Sequence, residues 1–128
     1  MNKLYLAPTS NTPEVDFDFA SRRLSLKGES YPESAAAFYG DILNQTSDFL
    51  GTLSNEDVHV VVQLNYFNSS STKMLFSFFD RLNQAAEDGN QITLDWHHDV
   101  DDETILEFGL EVAEDFPAIE FNAHALES

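Results

Sequence analysis

Cysteine is absent from the 128 residues, which excludes a disulfide framework, a thiolate metal site and a cysteine nucleophile. Cations are nearly as scarce. Lys and Arg number 6 against 23 Asp and Glu, and the formal charge of −17 excludes a broad basic surface for DNA, RNA or an anionic membrane. No apolar run approaches the roughly 20 residues that cross a bilayer. The opening residues 1–10 lack the apolar centre of a secretory signal, so a cytoplasmic protein is expected. There is no internal repeat, low-complexity stretch or linker. What is present suffices for a core: hydrophobic residues make up 42% of the chain and include 11 Phe, so one folded domain over residues 1–128 is expected.

Residues 2–12, punctuated by Pro8 and ending before Pro13, read as a lead-in that pairs at a sheet edge. Val15, Phe17 and Phe19 alternate with Asp16 and Asp18, and Leu24 and Leu26 alternate after a polar turn at Ser21-Arg22-Arg23, the pattern of an N-terminal β-hairpin. Gly28-Glu29 is expected to break the second strand. Ser30-Tyr31-Pro32-Glu33 then has capping-box spacing, with Pro32 in the first turn, and predicts a helix that runs to Gly51. Residues 58–67 are β-branched and nearly continuous, which predicts a central strand covered on both faces. Met74, Leu75, Phe78, Phe79, Leu82 and Ala85 repeat at helical spacing until Gly89-Asn90. Ile92, Leu94 and Trp96 predict another strand. A third helix follows, carrying Ile105, Phe108, Gly109 and Val112, with acidic caps before it and Pro117 after it. Residues 118–121 predict a short last strand, followed by an acidic tail. The order β-β-α-β-α-β-α-β predicts an α/β fold, a mixed sheet with helices packed on it.

In such a sheet the crevice at the carboxyl ends of the strands is the usual place for ligands, and the connection from the central strand into the second helix belongs there. That connection is Asn68-Ser69-Ser70-Ser71-Thr72-Lys73. A helix N-terminus presents unpaired N–H groups and a positive dipole end, so a hydroxyl placed there suits a covalently attached phosphate. The plainer alternative is that these hydroxyls only cap the helix. The glycines of a phosphate-binding P-loop are missing.

Asn-Ser-Ser after a buried strand resembles the Asp-Ser-Ser phosphorylation loop of STAS-domain anti-sigma factor antagonists, the SpoIIAA-like proteins. Three segments together resemble the SiaC family of bacterial regulatory phosphoproteins. They are Lys27-Gly28-Glu29-Ser30-Tyr31-Pro32-Glu33, Tyr66-Phe67-Asn68-Ser69-Ser70-Ser71-Thr72-Lys73 and Trp96-His97-His98-Asp99-Val100-Asp101-Asp102-Glu103. The resemblance implies a SpoIIAA-like fold and a switch that is not an enzyme and needs no cofactor. It implies phosphorylation by an anti-sigma-factor-like Ser/Thr kinase and dephosphorylation by a PP2C-like phosphatase. The unphosphorylated form would bind a GGDEF diguanylate cyclase and promote cyclic di-GMP synthesis, favouring aggregation and biofilm. The family's acceptor, the hydroxyl residue after the motif Asn, maps onto Ser69, with Ser70 the runner-up. Asn68, Ser70, Ser71, Thr72 and Lys73 would form the surrounding loop and docking surface.

Charge supports a switch independently, because a phosphate adds about −1.5 to −2 charges to one loop. Lys73 is placed either to pair with it or to sit in solvent. The rival chemistry lies in residues 95–103, rich in imidazole and carboxylate, which offer a small metal-dependent enzyme or metal site built on His97, His98, Asp99, Asp101 and Glu103. Adjacent His97 and His98 on a strand point to opposite faces, and helix capping by Asp101 or Asp102 explains the acids. Trp96 reads as a sheet-packing residue that, with Tyr31, His97 and His98, offers a second docking surface. His59 reads as a satisfied buried or edge histidine, His124 as part of the tail, and Arg22 and Arg23 as solvated turn charges.

Overall fold

The alternating stretches form strands and the helical-period stretches form helices, in the order β1(Lys3–Leu6), β2(Glu14–Asp18), β3(Arg23–Ser30), α1(Ala35–Gly51), β4(Asp57–Phe67), α2(Ser69–Glu87), β5(Gln91–Asp99), α3(Glu103–Asp115) and β6(Glu120–Leu126). The computed structural model describes residues 3–126, so the acidic tail beyond Leu126 lies outside the described residues. All strands join one sheet in chain order. β1, β2 and β3 pair antiparallel, whereas β3 to β6 pair parallel and are linked by α1, α2 and α3 as crossovers.

One sheet face carries the core. Val15 and Phe17 of β2, Leu24 and Leu26 of β3, Val58, Val60 and Val62 of β4, and Ile92, Leu94 and Trp96 of β5 are all buried on it. The helices cover that face through Phe49 of α1 against Phe19, Phe78 of α2 stacked on Phe17 at 5.7 Å, and Phe108 of α3 stacked on Trp96 at 5.7 Å. The opposite face carries Arg23, Lys27, His59, Gln63, Asp95, His97 and His124, and among the described residues no helix lies over it. β4 is therefore covered on one side only, contrary to the sequence expectation. Val61 on the open face makes a strictly alternating strand look continuous.

Residues 3–6 form the edge strand expected of the lead-in, paired with β2 from Lys3↔Asp18 to Leu6↔Val15. Three other boundaries differ from expectation. Gly28 does not end β3. Its φ of +119° produces a bulge, the register slips between Gly28 and Glu29, and the strand continues to Ser30. Ser30 is consequently no helix cap. Ser34 caps α1 instead, accepting from the Ala37 N–H at 3.2 Å. β6 is longer than residues 118–121 suggested, because parallel pairing with β5 carries it to Leu126.

Candidate functional site

β4 delivers the chain at the carboxyl end of the sheet to Asn68, which caps α2 from an extended backbone. Its Oδ1 accepts the Ser71 N–H at 2.9 Å, and its own N–H donates to the Ser30 carbonyl at 3.0 Å. Ser69 is thus the first helical residue, where backbone N–H groups of an α-helix have no intrahelical acceptor. The four successive hydroxyls have different fates. Ser69 and Ser70 are exposed, Thr72 is half-buried and donates to the Asn68 carbonyl at 3.1 Å, and Ser71 is fully buried with its Oγ 2.8 Å from Ser30 Oγ. Ser71 therefore leaves the exposed loop assigned to it by sequence. Lys73 is exposed and shares an open cleft with Ser70, Glu33 and Ser34 between the starts of α1 and α2.

Beside this helix start two tyrosines form an edge-to-face pair with centroids 5.7 Å apart. Tyr31 is 39% and Tyr66 50% exposed, so both rings present apolar surface, at the residue after Ser30 and three residues before Ser69. The other docking candidates separate from them. Trp96 is fully buried, its Nε1 donating to the Ile105 carbonyl at 3.1 Å, and His98 is only 7% exposed, so neither serves a docking surface. His97 lies on the open sheet face. Because His97 and His98 leave β5 on opposite sides, the proposed metal cluster is split. Among the described residues no three histidine or carboxylate side chains converge to hold an ion. Asp102 caps α3 by accepting the Ile105 N–H at 3.0 Å, and the acidic groove formed by Asp99, Asp101, Asp102 and Glu103 lies at that helix start.

Sequence reasoning missed a cluster across β4, β5 and β6. Asp95 receives His59 Nε2 at 2.5 Å on one carboxylate oxygen and His124 Nε2 at 2.9 Å on the other, while the His97 and His124 rings stack at 4.9 Å. Burial raises the Asp95 carboxyl, but the hydrogen bonds from His124 and His59 outweigh it and hold the group below its ordinary value. Burial, reinforced by the neighbouring His124, pushes the His97 imidazole down. The signal was available in the parallel register, which sets His97 against His124. Arg22 was likewise misread as simply solvated: its φ is +59°, its Nε donates to the Asp57 carbonyl at 2.9 Å, and it pairs with Glu56 at 3.6 Å.

The family described as SiaC family regulatory phosphoprotein matches residues 6–126. An uncharacterised protein of Pseudomonas aeruginosa strain UCBPP-PA14 is 31% identical over 115 residues, 90% of each chain. The crystal structure of apo-SiaC from Pseudomonas aeruginosa superposes with a TM-score of 0.89 at 30% identity, covering 98% of this chain and all of that one. A TM-score of 0.89 at 30% identity is also found for a crystal structure of the diguanylate cyclase SiaD in complex with its activator SiaC from the same organism, over 96% of this chain and 99% of that one.

Proposed function

This chain belongs to the SiaC family of regulatory phosphoproteins, and from that premise we propose that it activates a GGDEF diguanylate cyclase by binding it and is switched off by phosphorylation of Ser69. The observation that carries the reading is the placement of Ser69: an exposed hydroxyl on the first residue of an amphipathic helix. A phosphate there meets unpaired N–H groups and the positive end of the helix dipole, which stabilise the dianion locally. The same charge changes the surface a partner sees, in a protein already carrying −17. The docking surface in this reading is the start of α2 together with Tyr31 and Tyr66, because a charge on Ser69 then gates the contact directly. The activity is surface contact in the cytoplasm and not catalysis. A kinase of the anti-sigma-factor type and a PP2C-like phosphatase set the population of the two forms. The complex of a related SiaC with a diguanylate cyclase supports the partner class.

Phosphopeptide mass spectrometry of the protein from its own cells tests the acceptor, using the tryptic segment 28–73 with phosphatase-treated material as control. Phosphate on Ser69 is expected. Phosphate on Ser70 would correct the residue and keep the switch, and a well-covered peptide free of phosphate under several growth conditions would overturn it.

A further inference from the structure

Directly beneath the helix start lies a buried chain of three hydroxyls, one from each of three elements. Tyr39 OH of α1 is 2.6 Å from Ser30 Oγ of β3, which is 2.8 Å from Ser71 Oγ of α2. None of the three is exposed beyond 1%. Ser30 also receives the Asn68 N–H on its carbonyl, and Asn68 Oδ1 receives the Ser71 N–H. The bonds close a ring: the end of β3 holds the cap residue, the cap residue holds Ser71, and Ser71 returns to Ser30. Burial pushes the Tyr39 hydroxyl up to about 12, while the bond to Ser30 opposes that shift, so the group stays protonated and can donate or accept in the chain.

We propose that Ser30, Tyr39 and Ser71 are positioning residues that decide which hydroxyl of the Ser69–Thr72 run is modified, an inference that rests on reading α2's first turn as the phosphorylated site. Four consecutive hydroxyls give a kinase little discrimination by sequence. The ring narrows the choice physically, from four hydroxyls to two. It rotates the first turn so that Ser71 faces inward and is consumed by Ser30, and it keeps Thr72 against the Asn68 carbonyl, which leaves Ser69 and Ser70 outward. The three hydroxyls are buried, so cutting a link between them leaves a partner short of a hydrogen bond and frees the turn to rotate or fray. The strand bulge at Gly28 is part of the same device, since the register slip it introduces brings Ser30 opposite Phe67, next to the cap.

The test compares wild type with Tyr39→Phe and Ser71→Ala, each removing one link at nearly constant volume, and with Ser71→Thr, which restores a hydroxyl. Expressed in the native cells, each protein is mapped by phosphopeptide mass spectrometry, and the purified chains are followed by hydrogen exchange at residues 69–72. Wild type is expected to carry at least nine-tenths of its phosphate on the outward pair Ser69 and Ser70. In Tyr39→Phe and Ser71→Ala the ratio of phosphate on Ser69 and Ser70 to phosphate on the remaining hydroxyls of the run should fall at least threefold, and amide exchange in the first turn of α2 should rise at least tenfold with the rest of the helix unchanged. Ser71→Thr should recover the wild-type distribution, which a merely structural role would not require. An unchanged phosphate distribution in folded Tyr39→Phe and Ser71→Ala would overturn the inference and leave the switch standing. Wild type without phosphate on residues 69–72 would overturn the switch and the inference together.

Discussion

Replacing Gly109 by alanine inserts one methyl where α3 lies against the core. An ideal Cβ there would sit 2.5 Å from Trp96 Nε1, 2.7 Å from Cδ1 and 2.8 Å from Cε2, far inside contact distance. The indole has nowhere to retreat: Phe108 stacks on it at 5.7 Å, Phe79 meets its edge at 6.1 Å, Phe121 lies at 6.3 Å, and Nε1 donates to the Ile105 carbonyl. Overpacking of this kind costs about 1–3 kcal/mol. If the ring moves and the buried N–H loses its acceptor, about 1–3 kcal/mol is added. The better helix propensity of alanine returns up to about 1 kcal/mol. The net destabilisation is then about 1–5 kcal/mol, and at roughly 4 °C per kcal/mol for a domain of this size Tm should fall by about 4–20 °C. Trp96 is the sole tryptophan, so its fluorescence follows the same site during thermal unfolding. Gly40, whose Cβ would meet nothing within 4 Å, is the control. Gly40→Ala should raise stability by about 0.4–1 kcal/mol. A Gly109→Ala protein as stable as wild type, with unaltered tryptophan emission, would refute the packing argument.

Asn68→Ala removes the side-chain acceptor for the Ser71 N–H and should cost about 1 kcal/mol by chemical denaturation, whereas Asn68→Asp, an equally good cap, should cost a few tenths at most; equal losses would argue against capping. Acidification should weaken the open face in two windows. His97 has a depressed folded value, so the unfolded chain binds the extra proton and the stability present above about 6.5 declines as pH falls below it. Asp95 is also depressed, so the stability it contributes above its ordinary value of 3.8 is lost as pH falls through its folded value. Urea midpoints of wild type and His97→Gln at pH 7.5 and 5.5 separate the first window: the variant should show the smaller drop, and parallel pH profiles would contradict the assignment. Asp95→Asn should flatten the profile below pH 4 in the same way.

Much of the architecture was legible because its periodicities are local. α2 and its stop at Gly89 could be read directly, since its apolar face is unbroken from Met74 to Ala85 and Gly89 takes a φ of +108°. The misplaced start of α1 has a specific cause. Ser30 and Ser34 both have cap chemistry, and the choice is made by non-local bonds, the Asn68 N–H to the Ser30 carbonyl and the Tyr31 N–H to the Asn11 carbonyl. These bonds hold residues 30 and 31 extended. At the candidate site the residue types and the helix start were visible in the sequence, but the sorting of four hydroxyls into buried and exposed was not. It depends on Ser30, 41 positions away from Ser71. The histidine cluster was hidden for the same reason, since His59, Asp95 and His124 meet only through the pairing of three parallel strands.

Gating of cyclase binding by the Ser69 hydroxyl is read most directly in the rate of cyclic di-GMP synthesis. A GGDEF cyclase encoded in the same genome is assayed alone, with the unmodified protein, with the protein stoichiometrically phosphorylated on Ser69, and with Ser69→Ala after exposure to the kinase. Stimulation is expected from the unmodified protein and from Ser69→Ala, with at least a tenfold weaker effect from the phosphorylated form at equal concentration. Equal stimulation by the modified and unmodified proteins would contradict it.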